Sequence, residues 1–131
     1  NGIEYTVGVL TNNKNKLIAI SSKRIIQKKG ITQIAVTENN PLIDEIVYLI
    51  VEKFNPCGPF NIQLMLEPNN AIRIFEINPR FSTTTIMEFE GGLDLFSLYI
   101  DNLNEEHNIE LKRPKAGITL HRRWESVFYD E

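Results

Sequence analysis

A single cysteine, Cys57, stands among 131 residues, so no intramolecular disulfide can form. With no cysteine partner and no histidine close in sequence, Cys57 reads as a small buried filler rather than a nucleophile or zinc ligand. No apolar run approaches the roughly 18 residues a membrane helix needs. The opening residues, Asn1-Gly2-Ile3-Glu4-Tyr5, carry neither the basic nor the apolar region of a secretory signal. No membrane association is expected, and a cytoplasmic setting is. A surplus of positive charge is also missing: 14 Lys and Arg face 17 Asp and Glu, for a net charge of -3. The aromatics fall mostly at core positions instead of interleaving with basic residues, so no nucleic-acid partner is expected. Lys23, Arg24, Lys28 and Lys29 form one local basic cluster, which reads as a solvated face. His107 and His121 read as surface or strand residues.

What is present is the composition of a globular domain, 42% apolar and 24% charged, long enough for one core. The first third reads as strands over residues 3–11, 17–20, 24–26 and 31–37. Turn signals at Thr11-Asn12-Asn13-Lys14-Asn15 and Lys28-Lys29-Gly30 separate them into an antiparallel meander. Asn40 then suits a helix N-cap and Pro41 its first turn. Apolar residues from Leu42 to Phe54 recur at three- and four-residue spacing, and Asn55-Pro56-Cys57-Gly58-Pro59 ends the helix. Two strands, 60–67 and 71–77, read as a hairpin turning at Asn69-Asn70. A second helix is expected over 93–103 and a last strand over 118–124. The chain therefore reads as a single α+β domain over residues 1–131, a largely antiparallel sheet with two packed helices.

The hairpin holds the chemistry. With Asn69-Asn70 as a two-residue turn, Gln63 faces Glu76 and Asn61 faces Asn78, and paired residues share a face. Ile62, Leu64, Leu66, Phe75 and Ile77 then line a core face, with Arg73 near the turn. Gln63, Met65, Glu76 and Asn78 line the other, with Ile72 and Ile74 toward the turn. Oxygen donors of this kind suit Mg2+ or Mn2+ and exclude the usual Cys/His zinc site. From spacing alone, a solvated strand face accounts for the pattern more simply.

The runs Asn61-Ile62-Gln63-Leu64-Met65 and Phe75-Glu76-Ile77-Asn78-Pro79-Arg80 closely resemble the ATP-grasp superfamily, nearest its carbamoyl-phosphate synthase large-chain-like members and related stand-alone ligases. Gly2-Ile3-Glu4-Tyr5-Thr6-Val7 resembles the strand that opens the family's second subdomain. The stretch from Gly91-Gly92 to Leu95 resembles the segment after its metal motif. The resemblance implies that Gln63, Glu76 and Asn78 bind the metals bridging the ATP phosphates, with Glu76 as the bridging carboxylate. It implies that Met65 faces the adenine pocket and Glu4 the nucleotide, with Lys28 or Lys29 in a loop near ATP. Arg80 becomes the candidate for holding the transferred phosphate, with Ser82 as a hydrogen-bond donor beside it; a guanidinium suits phosphate oxygens.

The implied activity is that of an ATP-dependent carboxylate-amine ligase using Mg2+ (or Mn2+) and an acyl-phosphate intermediate. Its partners would be ATP, a small carboxylate or bicarbonate, and the upstream ATP-grasp half of the same chain, with a homo-oligomer also compatible. The family's phosphate-binding basic residues, Gly-rich loop and adenine hinge precede a strand like the one at Glu4. The chain is therefore expected to be a C-terminal portion of such a domain, inactive alone. One departure bears on substrate: Thr83 stands where the synthases carry a second arginine, which puts bicarbonate and carbamate in doubt. The competing reading is a non-catalytic binding domain that keeps the fold.

Overall fold

The computed structural model describes residues 2–106 and 109–130, and His107 lies outside them. Six strands and three helices follow in the order β1 (Ile3–Thr11), β2 (Leu17–Lys29), β3 (Ile31–Glu38), α1 (Pro41–Phe54), β4 (Gly58–Leu66), β5 (Ile72–Asn78), α2 (Ile86–Glu90), α3 (Leu95–Asp101) and β6 (Thr119–His121). The strands form one antiparallel sheet in the order β5-β4-β1-β2-β3-β6. β1 to β3 make the expected meander, and α1 carries the chain back so that β4 pairs with the free edge of β1.

α1 forms where its caps dictate. The Asn40 backbone is extended and its side chain accepts from Leu42 N at 3.1 Å, while Asn55 closes the helix in the left-handed region at φ 44°. Asparagine tolerates that region better than most residues. Ile43, Val47 and Ile50 point into the sheet and meet Tyr5, Val7, Val9, Phe60, Ile62 and Leu64. Each such aliphatic contributes about 1.5–3 kcal/mol by leaving water. The bidentate Arg113–Asp44 pair, at 3.0 and 2.9 Å, straps the C-terminal segment to this helix.

The other face is only partly covered. Leu10, Ile18 and Ala19 pack with Leu93 and Leu95 in a second cluster at one end of the sheet. Asp94 caps α3 by accepting from Phe96 N and Ser97 N at 3.1 and 3.2 Å. The short helix α2 was not expected from the sequence. Its five residues carry too little periodicity, and it is held by Glu88, whose carboxylate pairs with Lys23 inside the protein.

Several expectations need correction. β2 is one strand of 13 residues, bent by irregularities between Ile25 and Lys28, instead of two pieces. The basic cluster is a solvated face only at its end, where Lys28 and Lys29 are exposed. Alternation sends Lys23 inward to Glu88 and Arg24 to the opposite face, where it meets Glu38 at 3.0 Å, while Lys28 pairs with Glu4 at 2.7 Å. Cys57 is exposed, because it follows the cap of α1 on the surface connection to β4; its Sγ lies 3.4 Å from Asn13 Oδ1. β6 stops at His121, and Trp124 is exposed beyond it.

Tyr5 gives the fold a pH signature. Its ring is in the α1-side core and its hydroxyl donates to Glu38 Oε1. Burial, reinforced by that hydrogen bond, pushes the phenol up from 10.0 to about 12. A raised folded-state value means stability that is complete below pH 10 and lost as pH climbs toward 12. Tyr5→Phe is expected to cost about 1–2 kcal/mol near pH 8. Urea titrations at pH 8 and pH 11.5 should show the gap between wild type and variant closing at the higher pH; a constant gap would show that Tyr5 is not linked to unfolding.

Candidate functional site

Side chains alternating with Tyr5, Val7 and Val9 point away from α1, so Glu4 and Thr6 stand on the partly open face. Their cross-strand partners on β4 are Met65 and Gln63, and Asn61 lies opposite Gly8. The segment after β5 folds over the same face. Together these elements enclose a polar cleft of about 160 Å³ bordered by Glu4, Thr6, Lys28, Asn61 and Gln63 on one side and by Arg80 and residues 82–84 on the other.

A hydrogen-bonded web organises the floor. Lys28 Nζ donates to Glu4 Oε1 at 2.7 Å and to Gln63 Oε1 at 3.2 Å, and lies 5.9 Å from the centre of the Phe75 ring. Thr6 Oγ1 donates to Asn61 Oδ1 at 2.9 Å. On the opposite wall Ser82 Oγ and Thr84 Oγ1 are 2.6 Å apart, and Thr84 N donates to Ser82 Oγ at 3.1 Å. This local turn launches α2. Arg80 is exposed, its Nη1 resting on Phe81 O at 3.0 Å. Arg122, from just beyond β6, donates through Nη2 to Thr83 O.

The hairpin delivers Gln63 opposite Glu76 and Asn61 opposite Asn78, by a route the sequence did not reveal. The loop has three residues, not two: Asn70 sits at φ 64°, Asn70 N donates to Glu67 O at 2.9 Å, and Glu67 N to Ala71 O at 2.8 Å. That shifts the register by one, pairing Leu64 with Ile74 and Leu66 with Ile72. A β-bulge at Phe75 shifts it back before Gln63. Two consequences follow. Ile72 packs against the α1-side core, while Arg73 turns to the other face beside Met65 and pairs with Glu67 at 2.6 Å. Phe75, expected in the core, lies under Lys28 on the cleft side.

Of the residues singled out from sequence, Glu4, Gln63, Arg80 and Ser82 therefore border one cleft. Glu76 and Asn78 flank it on the edge strand, across the ladder from Gln63 and Asn61. Glu76 is exposed and makes no ion pair among the described residues; Asn78 is half-buried, with a buried Nδ2 that lacks a partner. Met65 borders Glu4 and packs against Gly2, where an added Cβ would come within 2.7 Å of Met65 Cγ; it lies outside the cleft wall. Among the described residues no three His, Cys, Asp or Glu side chains gather to hold a metal, so a cation here would depend on Glu76 together with amide oxygens.

Lys28, which the family resemblance places with Lys29 in a loop near ATP, occupies the end of β2. Thr6, Thr84 and Phe75 were missed. Thr6 was legible from alternation with Glu4, but a bulge leaves no mark in composition.

The fold is shared with larger proteins of known structure. N5-carboxyaminoimidazole synthetase from Staphylococcus aureus, complexed with ADP, superposes with a TM-score of 0.66 at 16% identity, over 83% of this chain and 31% of that one. Carboxyaminoimidazole ribonucleotide synthase from Aspergillus clavatus, complexed with ATP, gives 0.67 at 18% identity, over 86% of this chain and 32% of that one. A biotin carboxylase–beta-gamma-ATP complex from Campylobacter jejuni gives 0.62 at 12% identity, over 84% and 26%. The chain thus spans about a third or less of the length of these structures. No curated protein sequence matches it. A family model does, over residues 1–124, and the chain belongs to that family, described as ATP-grasp in the biosynthetic pathway with Ter operon.

Proposed function

We propose that this chain forms the cation- and phosphate-handling wall of an ATP-dependent carboxylate-amine ligase that works through an acyl phosphate. The observation that carries this reading is the cleft. In a chain of the ATP-grasp family, Glu4, Lys28 and Gln63 from three adjacent strands face Arg80 and Ser82 across one polar cavity.

The donor set fits Mg2+ or Mn2+. Gln63, Glu76 and Asn78 offer only oxygen ligands, and Gln63 Oε1 already accepts from an ammonium. When bound, the cation would offset phosphate charge and hold the phosphate for in-line transfer. This chain's residues do the rest. Glu76 supplies the carboxylate, and Glu4 and Met65 border the nucleotide. Arg80, free to leave its backbone carbonyl, holds the oxygens of the phosphoryl group in transfer, with Ser82 beside it. A substrate carboxylate oxygen bonds to the γ-phosphorus as the bond to the β–γ bridging oxygen breaks and ADP departs. A nitrogen nucleophile then bonds to the acyl carbon and inorganic phosphate leaves.

The chain's resemblance to carbamoyl-phosphate synthase-like members supports this ligase class. Thr83 in place of an arginine favours a small carboxylate over bicarbonate. The chain covers about a third of the matched structures, which supports a reading in which further polypeptide completes the site. Alone, the chain is expected to bind ATP weakly and to turn nothing over. A longer protein containing it, given ATP, Mg2+, hydroxylamine and a panel of small carboxylic acids, should form a hydroxamate in step with ADP. ADP release that no acid stimulates would overturn the reading.

A further inference from the structure

We propose that the Lys28 ammonium is a resident counter-cation that competes with a divalent metal for the Gln63 end of the site and so suppresses metal binding until nucleotide arrives. The proposal rests on the reading of Gln63 and Glu76 as cation ligands and adds a device to it.

Lys28 Nζ lies 3.2 Å from Gln63 Oε1, the oxygen offered to a metal, and 2.7 Å from Glu4 Oε1. The Phe75 ring sits 5.9 Å beneath it, and an aromatic face attracts a cation. Phe75 is there because the β5 bulge turns it to the same side as Glu76. Three groups that favour positive charge thus hold one lysine at the place where a metal would need an amide oxygen. Lys28 is itself 37% exposed at the strand end, so it can swing aside without disturbing the core.

The electrostatics set the direction. A divalent ion arriving a few ångströms from an ammonium is repelled, and the repulsion is several-fold stronger in a partly buried cleft than in water. The donor set is also weak, one carboxylate with amides in place of a second carboxylate. A metal alone therefore displaces Lys28 poorly. Phosphate oxygens change the balance, since they give the ammonium a new partner and release Gln63 and Glu4. Lys28 should accordingly have opposite effects on the two ligands, weakening bare metal binding and strengthening nucleotide binding.

The test is a Mn2+ titration of the 131-residue chain without nucleotide, followed by the electron paramagnetic resonance of free Mn2+, for wild type, Lys28→Met and Lys28→Arg. Lys28→Met is expected to bind Mn2+ about tenfold more tightly than wild type, with Lys28→Arg close to wild type. Circular dichroism melts confirm that each variant is folded, and Lys28→Gln serves as a second neutral variant. Mn2+ binding that both neutral variants leave unchanged or weaken, while Glu76→Gln abolishes it, overturns this proposal and leaves the ligand reading standing. No Mn2+ binding by any of the proteins overturns both.

Discussion

Glu76→Gln, placed in a longer protein that contains this chain, is expected to lower ATP-dependent turnover at least about a hundredfold while leaving the fold intact. The fold should survive because Glu76 is an exposed residue of the edge strand β5, with no ion pair among the described residues. Surface substitutions of that kind usually shift stability by no more than about 0.5 kcal/mol. Function should not survive, because Glu76 is the only carboxylate in the set that pairs it with Gln63 across the ladder. Its loss leaves three neutral amides facing a divalent cation. Turnover measured against Mg2+ concentration should show a steeply raised metal requirement together with a lowered maximum. The register offers a rescue: in the Glu76→Gln background, Gln63→Glu returns a carboxylate to the opposite strand and should recover part of the loss. A binding domain that merely keeps the fold predicts otherwise, and activity within about threefold of wild type for Glu76→Gln would favour it.

How much of this was legible in the sequence can be judged from the hairpin. The pairing of Gln63 with Glu76 was read correctly, but through a two-residue turn that does not exist. The three-residue loop at residues 68–70 and the bulge at Phe75 displace the register in opposite senses, so they cancel at the end that matters. Between them the faces are inverted, which is why Ile72, Arg73 and Phe75 were misplaced. Alternation is reliable only as long as the ladder is regular. The antiparallel α+β plan, by contrast, rests on cues that tertiary context reinforces, among them Asn40 and Pro41 at the start of α1 and Gly30 between β2 and β3, at φ 72°. Gln63 and Glu76 are legible from strand register, whereas Glu4, Arg80 and Ser82 are legible only through the family resemblance of their motifs. Arg80 and Ser82 reach the cleft through the fold-back of a loop, a long-range outcome that no local pattern encodes.

The buried pair beneath the cleft makes the largest claim on stability. Lys23 on β2 and Glu88 on α2 have side chains exposed by 0% and 1%, and the ammonium donates to Glu88 Oε1. Gly8 makes room for them: a Cβ there would come within 2.7 Å of Glu88 Oε1 and 3.2 Å of Lys23 Nζ. Burial holds the lysine below its ordinary range, with Glu88 opposing that shift. Glu88→Ala removes the counter-charge and keeps the burial, so a loss of about 3–5 kcal/mol is expected. Against a typical total of about 5–15 kcal/mol, that approaches unfolding at ambient temperature. The sign of the pH effect follows from the lysine. With its folded value depressed, the unfolded chain binds the extra proton, so stability of the variant should rise as pH climbs toward 10.5. Urea titrations at pH 7 and pH 9.5 should show the deficit of Glu88→Ala shrinking at the higher pH. Replacing both partners by apolar residues, Lys23→Met with Glu88→Leu, should restore most of the stability, because desolvation of two charges offsets much of their attraction. Such a variant would also separate anchoring from charge. Residues 82–84 lead directly into α2, so a double variant that folds and keeps the cleft closed would show that Glu88 serves the site by holding its wall in place. If Glu88→Ala costs less than about 1 kcal/mol at pH 7, the pair is solvated in solution and the wall is held by other contacts.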